Sequence, residues 1–309
     1  MSRSLLTIGD LDATDLASII DRARALRQVG VAQRQPFVAS TLFLSSSLRT
    51  RAGFSTAVHR LGGSVVDVFE PRFDGSMSDA ESLDDTLETL AGISDVLVVR
   101  APAALRELVP RMRSATPVVN AGDDGHHPSQ ALIDWFAITE LAGGDPERTR
   151  IALVGDLTMR AARSFLDLAA ILGIEHLALV APPSRLPDVP RLPDALMLEP
   201  GELAEFAPDV VSMIGLPPAR GGDFLDETGR RPYVLDTALL DALPDSTVVL
   251  SPMPVIDEIT TRARADRRVR MHDQNSLGVL VRVAVLEMAL DCGPRAAAGM
   301  YDDPDEAAR

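Results

Sequence analysis

The sequence predicts an α/β protein with two parallel-sheet domains. Short apolar runs that are typical of buried strands alternate with stretches whose apolar residues have helical spacing. This alternation starts afresh after a long helix that ends at Gly143 and Gly144. A chain of 309 residues, 46% of them hydrophobic, is also long enough to bury two cores.

The first series contains four strands. A helix over 16–26 precedes them, and Gly62 and Gly63 end the helix that follows the first strand. Because helical segments connect consecutive strands, we expect the strands to pair in parallel. The predicted strands are 37–44, 64–69, 95–99 and 117–120, and the helices between them are 50–61, 83–93 and 103–112.

The second series follows a helix over 130–141. Its last helix, 277–290, precedes a segment, 293–309, that we expect to be a solvated tail. Proline and glycine mark two loops, 182–193 and 217–231, and the length of the second favours a binding or lid role. The predicted strands of this half are 151–154, 176–180, 210–214 and 248–250, with the clearest helix at 161–172.

Charge and composition exclude several classes of function. A net charge of −15 opposes broad binding to nucleic acid or anionic membranes, so any anion site must be local. Without a long apolar run or a basic-then-apolar N-terminus, we expect a cytoplasmic protein. The single cysteine, Cys292, cannot form an internal disulfide, and we expect no metal there. All 30 of the lysine-plus-arginine positions are arginine, so no step can use a lysine amine.

A turn rich in hydroxyl side chains joins the first strand to the next helix. Ser47, Arg49 and Thr50 stand where helix-start amides, hydroxyl donors and guanidinium groups converge, which favours a bound anion. The same serine and threonine could instead be helix N-caps, and the arginine a solvated helix residue. The turn alone leaves both interpretations open.

Further short motifs follow this turn in order along about 250 residues, more than a coincidence of short motifs explains. They are Ser-Leu-Arg-Thr-Arg at 47–51, the strand and arginine at 95–100, Asn-Ala-Gly-Asp at 120–123, His-Pro-Ser-Gln at 127–130, Gly-Asp-Leu at 155–157, and Ser-Pro-Met-Pro at 251–254 with Asp-Glu at 257–258. Together they resemble the aspartate and ornithine carbamoyltransferase family, and more closely its aspartate branch.

The resemblance implies a fold, an assembly and a domain division. The fold is two doubly wound domains around a central cleft, with the C-terminal helix returning to the first domain. The assembly is a homotrimer with active sites between subunits. The domains are a carbamoyl-phosphate domain, 1–134 with helix 277–292, and an amino-acid domain, 135–276.

The resemblance also implies transfer of a carbamoyl group from carbamoyl phosphate, a small anionic substrate, to an amine, without a metal or other cofactor. The phosphate would be bound by Ser47, Arg49, Thr50 and Arg100. The carbonyl oxygen would accept hydrogen bonds from the catalytic residues Arg49, Thr50 and His127. The carbamoyl NH2 group would be held by Gln130 and the backbone carbonyls of Pro252 and Met253. Arg160, or Arg163, would hold the carboxylate of the acceptor.

Several positions depart from the family pattern. Leu48 replaces a phosphate-binding hydroxyl. The loop that carries a lysine in the family has Asp79 on or beside that position, with Arg72 as the nearest cation. Gly215 and Pro217 stand where an arginine and a glutamine grip aspartate, and neither has a side-chain donor.

From these departures we expect a carbamoyltransferase-like enzyme whose acceptor is an amine other than aspartate or ornithine. Two alternatives stay open at this point. The cleft could bind an organic acid for a different reaction, which Leu48 and Asp79 favour. The chain could also be a non-catalytic homologue with a structural or regulatory role.

Overall fold

The computed structural model describes residues 3–69, 82–143, 148–187, 194–220 and 223–290. Cys292, the expected tail 293–309 and the segment with Arg72 and Asp79 lie outside these residues. Within them the predicted α/β class is confirmed, because the chain forms two parallel sheets flanked by helices. The predicted domain limits, 1–134 with 277–292 and 135–276, stay a prediction.

The first half forms a four-stranded sheet. Its strands are β1 (Val38–Phe43), β2 (Ser64–Phe69), β3 (Val96–Arg100) and β4 (Val118–Asn120), and all neighbours pair in parallel in the order β2-β1-β3-β4. Its helices are α1 (Ala13–Val29), α2 (Leu48–Arg60), α3 (Leu83–Gly92), α4 (Leu105–Leu108) and α5 (Pro128–Leu141). Because α2 and α5 begin just after strands β1 and β4, their N-termini lie at the carboxyl edge of this sheet, where open α/β sheets bind ligands.

The second half forms a five-stranded sheet and a short antiparallel pair. Its strands are β5 (Ile151–Val154), β6 (Leu177–Val180), β7 (Leu196–Met197), β8 (Val210–Met213), β9 (Ala219–Arg220), β10 (Asp223–Phe224) and β11 (Val248–Leu250). The parallel order is β11-β8-β5-β6-β7, and β9 pairs with β10. Its helices are α6 (Arg160–Leu172), α7 (Leu203–Phe206), α8 (Glu227–Arg230), α9 (Thr237–Ala242) and α10 (Met271–Leu290).

Alternation along the strands divides the apolar side chains among three cores. In β3, Val98 faces the central core and Val99 an outer core. In β5, Leu153 faces the same central core and Val154 the other outer core. Because side chains of a strand alternate between faces, each sheet is covered on both sides, and one face of each meets the shared central core.

Helix α10 ties the second half to the first. It packs against α1, α2 and α5, so the C-terminal helix returns to the first half as the resemblance implies. It begins at Met271, earlier than the predicted start at Leu277, because its first turns are polar and hide the apolar periodicity. Among the helices that the structure describes, none is long and apolar enough to cross a membrane. The cytoplasmic location stays a prediction.

The remaining differences from the predicted elements are local. The predicted helix 103–112 is shorter, because Pro110 leaves only a 3-10 turn, Val109–Arg111, after α4. The strand β7 and the pair β9–β10 were not predicted, since two residues are too few to show alternation.

Gly155 sets the distance between the carboxyl ends of β5 and β8. Its φ is 122°, a region that glycine adopts without strain. A Cβ atom on Gly155 would overlap the carbonyl oxygen of Ile214, and the Ile214 N–H donates to the Val154 carbonyl at 2.7 Å. A steric requirement therefore explains the glycine at the start of the 155–157 motif.

We expect Gly155→Ala to destabilise the protein by at least about 2 kcal/mol more than Gly173→Ala. Gly173 is the matched control because its φ is 64° but no atom lies within 4 Å of its Cβ position. Its substitution should cost only the backbone strain, about 1–2 kcal/mol. Urea denaturation measures both, and equal losses would contradict the steric explanation.

Candidate active site

A cavity of about 500 Å³ opens at the carboxyl edges of both sheets. Residues at the start of α2, α5 and α6, from α10, and from the turns after β8 and β11 line it. Arg163 is exposed, is not among the lining residues, and lies beside Gly125. The lining includes these sequence-predicted residues: Ser47, Arg49, Thr50, Arg100, His127, Gln130, Arg160, Pro252 and Met253.

The start of α2 presents backbone N–H groups to this cavity. Ser47 occupies the N-cap position, but its side chain makes no capping hydrogen bond to the helix backbone. Its Oγ donates instead to Thr50 Oγ1 at 3.0 Å. The two hydroxyls therefore form a pair at the cavity wall, next to first-turn N–H groups that lack a side-chain cap. This arrangement favours the anion-site interpretation over simple capping.

Arg100 ends β3 and is 8% exposed. Its Nε donates to Ser45 Oγ at 3.0 Å, and its Nη1 donates to the Ala121 carbonyl at 3.2 Å. Gly122 makes this approach possible, because a Cβ there would stand 2.5 Å from Nη1 of Arg100 and 3.2 Å from Cδ2 of His127. The glycine of the 120–123 motif thus brings these two side chains together.

His127 precedes α5 at the N-cap position and is 6% exposed. Its backbone N–H donates to Ser164 Oγ at 2.9 Å, and its Nδ1 lies 3.4 Å from Ser129 Oγ. Burial, followed by repulsion from Arg100, Arg160 and Arg282, holds the pKa of His127 well below its usual value. The ring is therefore neutral at pH 7, and we assign its N–H to Nε2, with the Ser129 hydroxyl donating to Nδ1.

Arg49, Arg100, Arg160 and Arg282, here called the arginine cluster, line the cavity together. Burial, aided by Arg160 and Arg49, lowers the pKa of Arg100 to about 10. Burial, aided by Arg49 and opposed by Asp134, lowers the pKa of Arg282 to about 10. Both stay charged at pH 7, so a chain of net charge −15 contains a local positive cavity.

Sequence reasoning missed Arg282, whose signal is a lone charge in the apolar run 278–286 of α10. It also missed Asp134, a 4% exposed carboxylate in the apolar part of α5. Asp134 Oδ1 accepts hydrogen bonds from Gln130 and Gln274. Burial raises the pKa of Asp134 to about 7, although the two amides and Arg282 act in the opposite direction.

The positions that depart from the family pattern lie at the cavity rim and wall. Leu48 lines the cavity but is 79% exposed, so its side chain lies at the open rim and does not fill the cavity. Gly215 and Pro217 line the wall without offering a side-chain donor. Arg230, from α8, reaches this wall: its Nη1 lies 3.5 Å from the Leu216 carbonyl and also bonds to the carboxylate of Asp257.

Within the described ranges, no three His, Cys, Asp or Glu side chains are grouped so that they could hold a metal ion. The donors at this cavity are guanidinium, hydroxyl, imidazole and amide groups. Such a set suits a phosphate or carboxylate ligand and the carbonyl of an acyl group.

Comparisons with known proteins agree with this chemistry. The family described as "Aspartate/ornithine carbamoyltransferase, carbamoyl-P binding domain" matches residues 3–140. The aspartate carbamoyltransferase catalytic subunits of Acidothermus cellulolyticus and Thermobifida fusca are 37% and 36% identical, over 100% and 93% of this chain and 98% and 95% of theirs. The chain therefore belongs to the aspartate/ornithine carbamoyltransferase family.

Solved structures of similar fold come from the aspartate transcarbamoylase of Trypanosoma cruzi. Its complex with carbamoyl phosphate has a TM-score of 0.79 and 27% identity, covering 92% of this chain and 95% of that one. Its complex with carbamoyl phosphate and aspartate has a TM-score of 0.76 at the same identity and coverage. These similarities extend over both sheets.

The expectation that the acceptor is neither aspartate nor ornithine is wrong. The relatives that match nearly the full chain are aspartate carbamoyltransferases, which contradicts an acceptor other than aspartate and favours aspartate carbamoyltransferase activity over the two alternatives. The error has a physical reason. Gly215 and Pro217 have no side-chain donor for a carboxylate, but a guanidinium from another element, Arg230, reaches the same wall.

We expect Leu48→Thr to tighten binding of inorganic phosphate about twofold to tenfold, the effect of one added neutral hydrogen bond. The new hydroxyl would stand at the start of α2 beside the cavity, and an exposed leucine loses little packing. Isothermal titration calorimetry measures the change. Val29→Thr is the control, because Val29 is also 79% exposed and does not line the cavity. Unchanged or weaker phosphate binding by Leu48→Thr would contradict this account.

Proposed function

We propose that this protein transfers the carbamoyl group of carbamoyl phosphate to the α-amino group of aspartate. The observation that carries the proposal is the arginine cluster, which shares one cavity with the neutral His127 and the amide of Gln130. Carbamoyl phosphate has a dianionic phosphate, a carbonyl oxygen and an NH2 group. The cavity offers a matching donor or acceptor for each.

In the proposed reaction, the amine nitrogen attacks the carbamoyl carbon, and the C–O bond to phosphate then breaks. We assign the phosphate to Ser47, Arg49, Thr50 and Arg100, which supply hydroxyl and guanidinium donors. Charge that develops on the carbonyl oxygen would be stabilised by Arg49, Thr50 and His127 Nε2–H. No metal or other cofactor enters this scheme.

The ammonium group of aspartate must lose one proton before its nitrogen can attack, and the nitrogen loses a second proton as the C–O bond breaks. His127 is a poor base for this step, because its pKa lies well below its usual value. The departing phosphate, which leaves with a third negative charge, takes the second proton and so becomes the dianion HPO4²⁻, while the first proton passes to water. The proposal therefore assigns His127 the role of a neutral hydrogen-bond donor.

Aspartate needs cations for its two carboxylates. We assign the α-carboxylate to Arg160, whose Nη1 is held by the Asp123 carbonyl at 2.7 Å. We assign the side-chain carboxylate to Arg230, because this guanidinium lies beside Leu216. Leu216 stands between Gly215 and Pro217, the two positions that lack a side-chain donor. Arg230 is already paired with Asp257. The side-chain carboxylate of the substrate would therefore either share this guanidinium with Asp257 or displace Asp257 from it.

We further propose that the protein is a homotrimer with active sites between subunits, which rests on the family resemblance. Light scattering that shows a monomer at micromolar concentration would remove this part of the proposal without affecting the chemistry.

We expect the protein, purified from a host without its own enzyme, to form N-carbamoyl-L-aspartate from carbamoyl phosphate and L-aspartate. Arg100→Met should lower kcat/KM at least about 100-fold, because it removes a charge that the phosphate and the transition state need. Arg27→Met, which changes an arginine paired with Glu140 away from the cavity, should keep the activity. The proposal would be contradicted if no product forms, or if Arg100→Met forms product with unchanged kcat/KM.

We expect Arg230→Met to raise the KM for aspartate at least about tenfold while leaving the Kd of carbamoyl phosphate unchanged. Its neighbour Arg231 is exposed and does not line the cavity, so Arg231→Met is the matched control. Steady-state kinetics and calorimetry measure the two constants. If both variants behave alike, another group holds the aspartate side chain.

A further inference from the structure

A buried carboxylate stands behind the part of the cavity that would hold the carbamoyl NH2 group. Asp134 lies one helical turn after Gln130 on α5 and is 4% exposed. Its Oδ1 accepts from Gln130 Nε2 at 2.7 Å and from Gln274 Nε2 at 2.6 Å. One oxygen atom therefore orients two amide side chains that come from two different helices.

The first of these bonds decides which end of Gln130 faces the cavity. Its NH2 group is held by Asp134, so the carbonyl Oε1 is the end that remains for a ligand. An NH2 group of the substrate donates and cannot accept, so it can bind Oε1. A flipped Gln130 would turn its own NH2 group toward that of the substrate, and two donors would meet.

The second bond acts on the turn that follows β11. Gln274 donates to Asp134 through Nε2, and its Oε1 accepts from the Ser251 backbone N–H at 2.9 Å. Ser251 Oγ in turn accepts from the Met253 N–H at 3.0 Å. Pro252 and Met253, which line the cavity, thus lie in a turn that is linked to Asp134 through Gln274.

We propose that Asp134 is a positioning residue for the carbamoyl NH2 group: it orients Gln130 directly and the 251–253 turn through Gln274. This inference rests on the proposed function and adds to it a residue that acts only through others. A buried carboxylate costs stability that an apolar side chain would not, so packing alone is a poor explanation for its presence. Burial also raises its pKa to about 7, and Oδ1 remains an acceptor in both protonation states when the proton is on Oδ2.

The test compares two ligands, carbamoyl phosphate and inorganic phosphate, because only the first has an NH2 group. Asp134→Leu, similar in size but without an acceptor, should weaken carbamoyl phosphate at least about tenfold and inorganic phosphate less than about twofold. Asp134→Asn keeps one oxygen and should therefore weaken carbamoyl phosphate binding less than Asp134→Leu does. Glu140→Gln changes another carboxylate on α5, one that pairs with Arg24 and Arg27, and should alter neither affinity.

Equal weakening of both ligands by Asp134→Leu, or of neither, overturns the inference and leaves Asp134 a packing residue. If Asp134→Asn and Asp134→Leu lose the same affinity for carbamoyl phosphate, the Asp134 oxygen does not orient the amides, and this result also overturns the inference. If Asp134→Leu does not fold, Gln274→Met supplies the test, with the same selective loss expected and an unselective one overturning the inference. If the unchanged protein binds carbamoyl phosphate no better than phosphate and makes no N-carbamoyl-L-aspartate, the proposed function itself fails.

Discussion

Like charges held together in the arginine cluster are the constraint on which the rest of the site depends. Burial and mutual repulsion both oppose this arrangement, as the lowered pKa values of Arg100 and Arg282 indicate. The fold holds two of these side chains partly with backbone carbonyls, that of Ala121 for Arg100 and that of Asp123 for Arg160. Because a carbonyl accepts a hydrogen bond without cancelling the charge, the cavity stays positive and ready for a dianion.

The two sheets explain how residues so distant in sequence meet. Arg100 ends β3, the α2 turn follows β1, and the 251–254 turn follows β11, so these groups reach the cavity from the carboxyl edges of parallel strands. Helix α10 then crosses from the second half to pack on the first, and carries Gln274 and Arg282 into the same cavity. The site therefore requires both halves of the chain.

Much of the fold follows from local patterns, and much of the site does not. Buried strands such as β3 and β5 could be predicted because a short, continuous apolar run is typical of a strand that is buried on both faces. The two-residue strand β7 and the polar start of α10 lack such a pattern. Among the site residues, the turn at 47–51 has a local signal, whereas Arg282 and Asp134 sit singly in apolar helices. Their role arises only when α5 and α10 pack together.

Gly215 and Pro217 depart from the family pattern in sequence, but the guanidinium of Arg230 lies at the same cavity wall. A guanidinium can bind a carboxylate from whichever element carries it, and Arg230 approaches from α8 the wall where Gly215 and Pro217 offer no side-chain donor. The same reasoning applies to the absence of lysine. A planar guanidinium can donate two parallel hydrogen bonds to a phosphate or carboxylate, so a site built on arginine alone needs no ammonium group to bind a dianion. What such a site does require is fixed geometry, which makes the groups that hold the arginines and amides in place as necessary as the charges themselves.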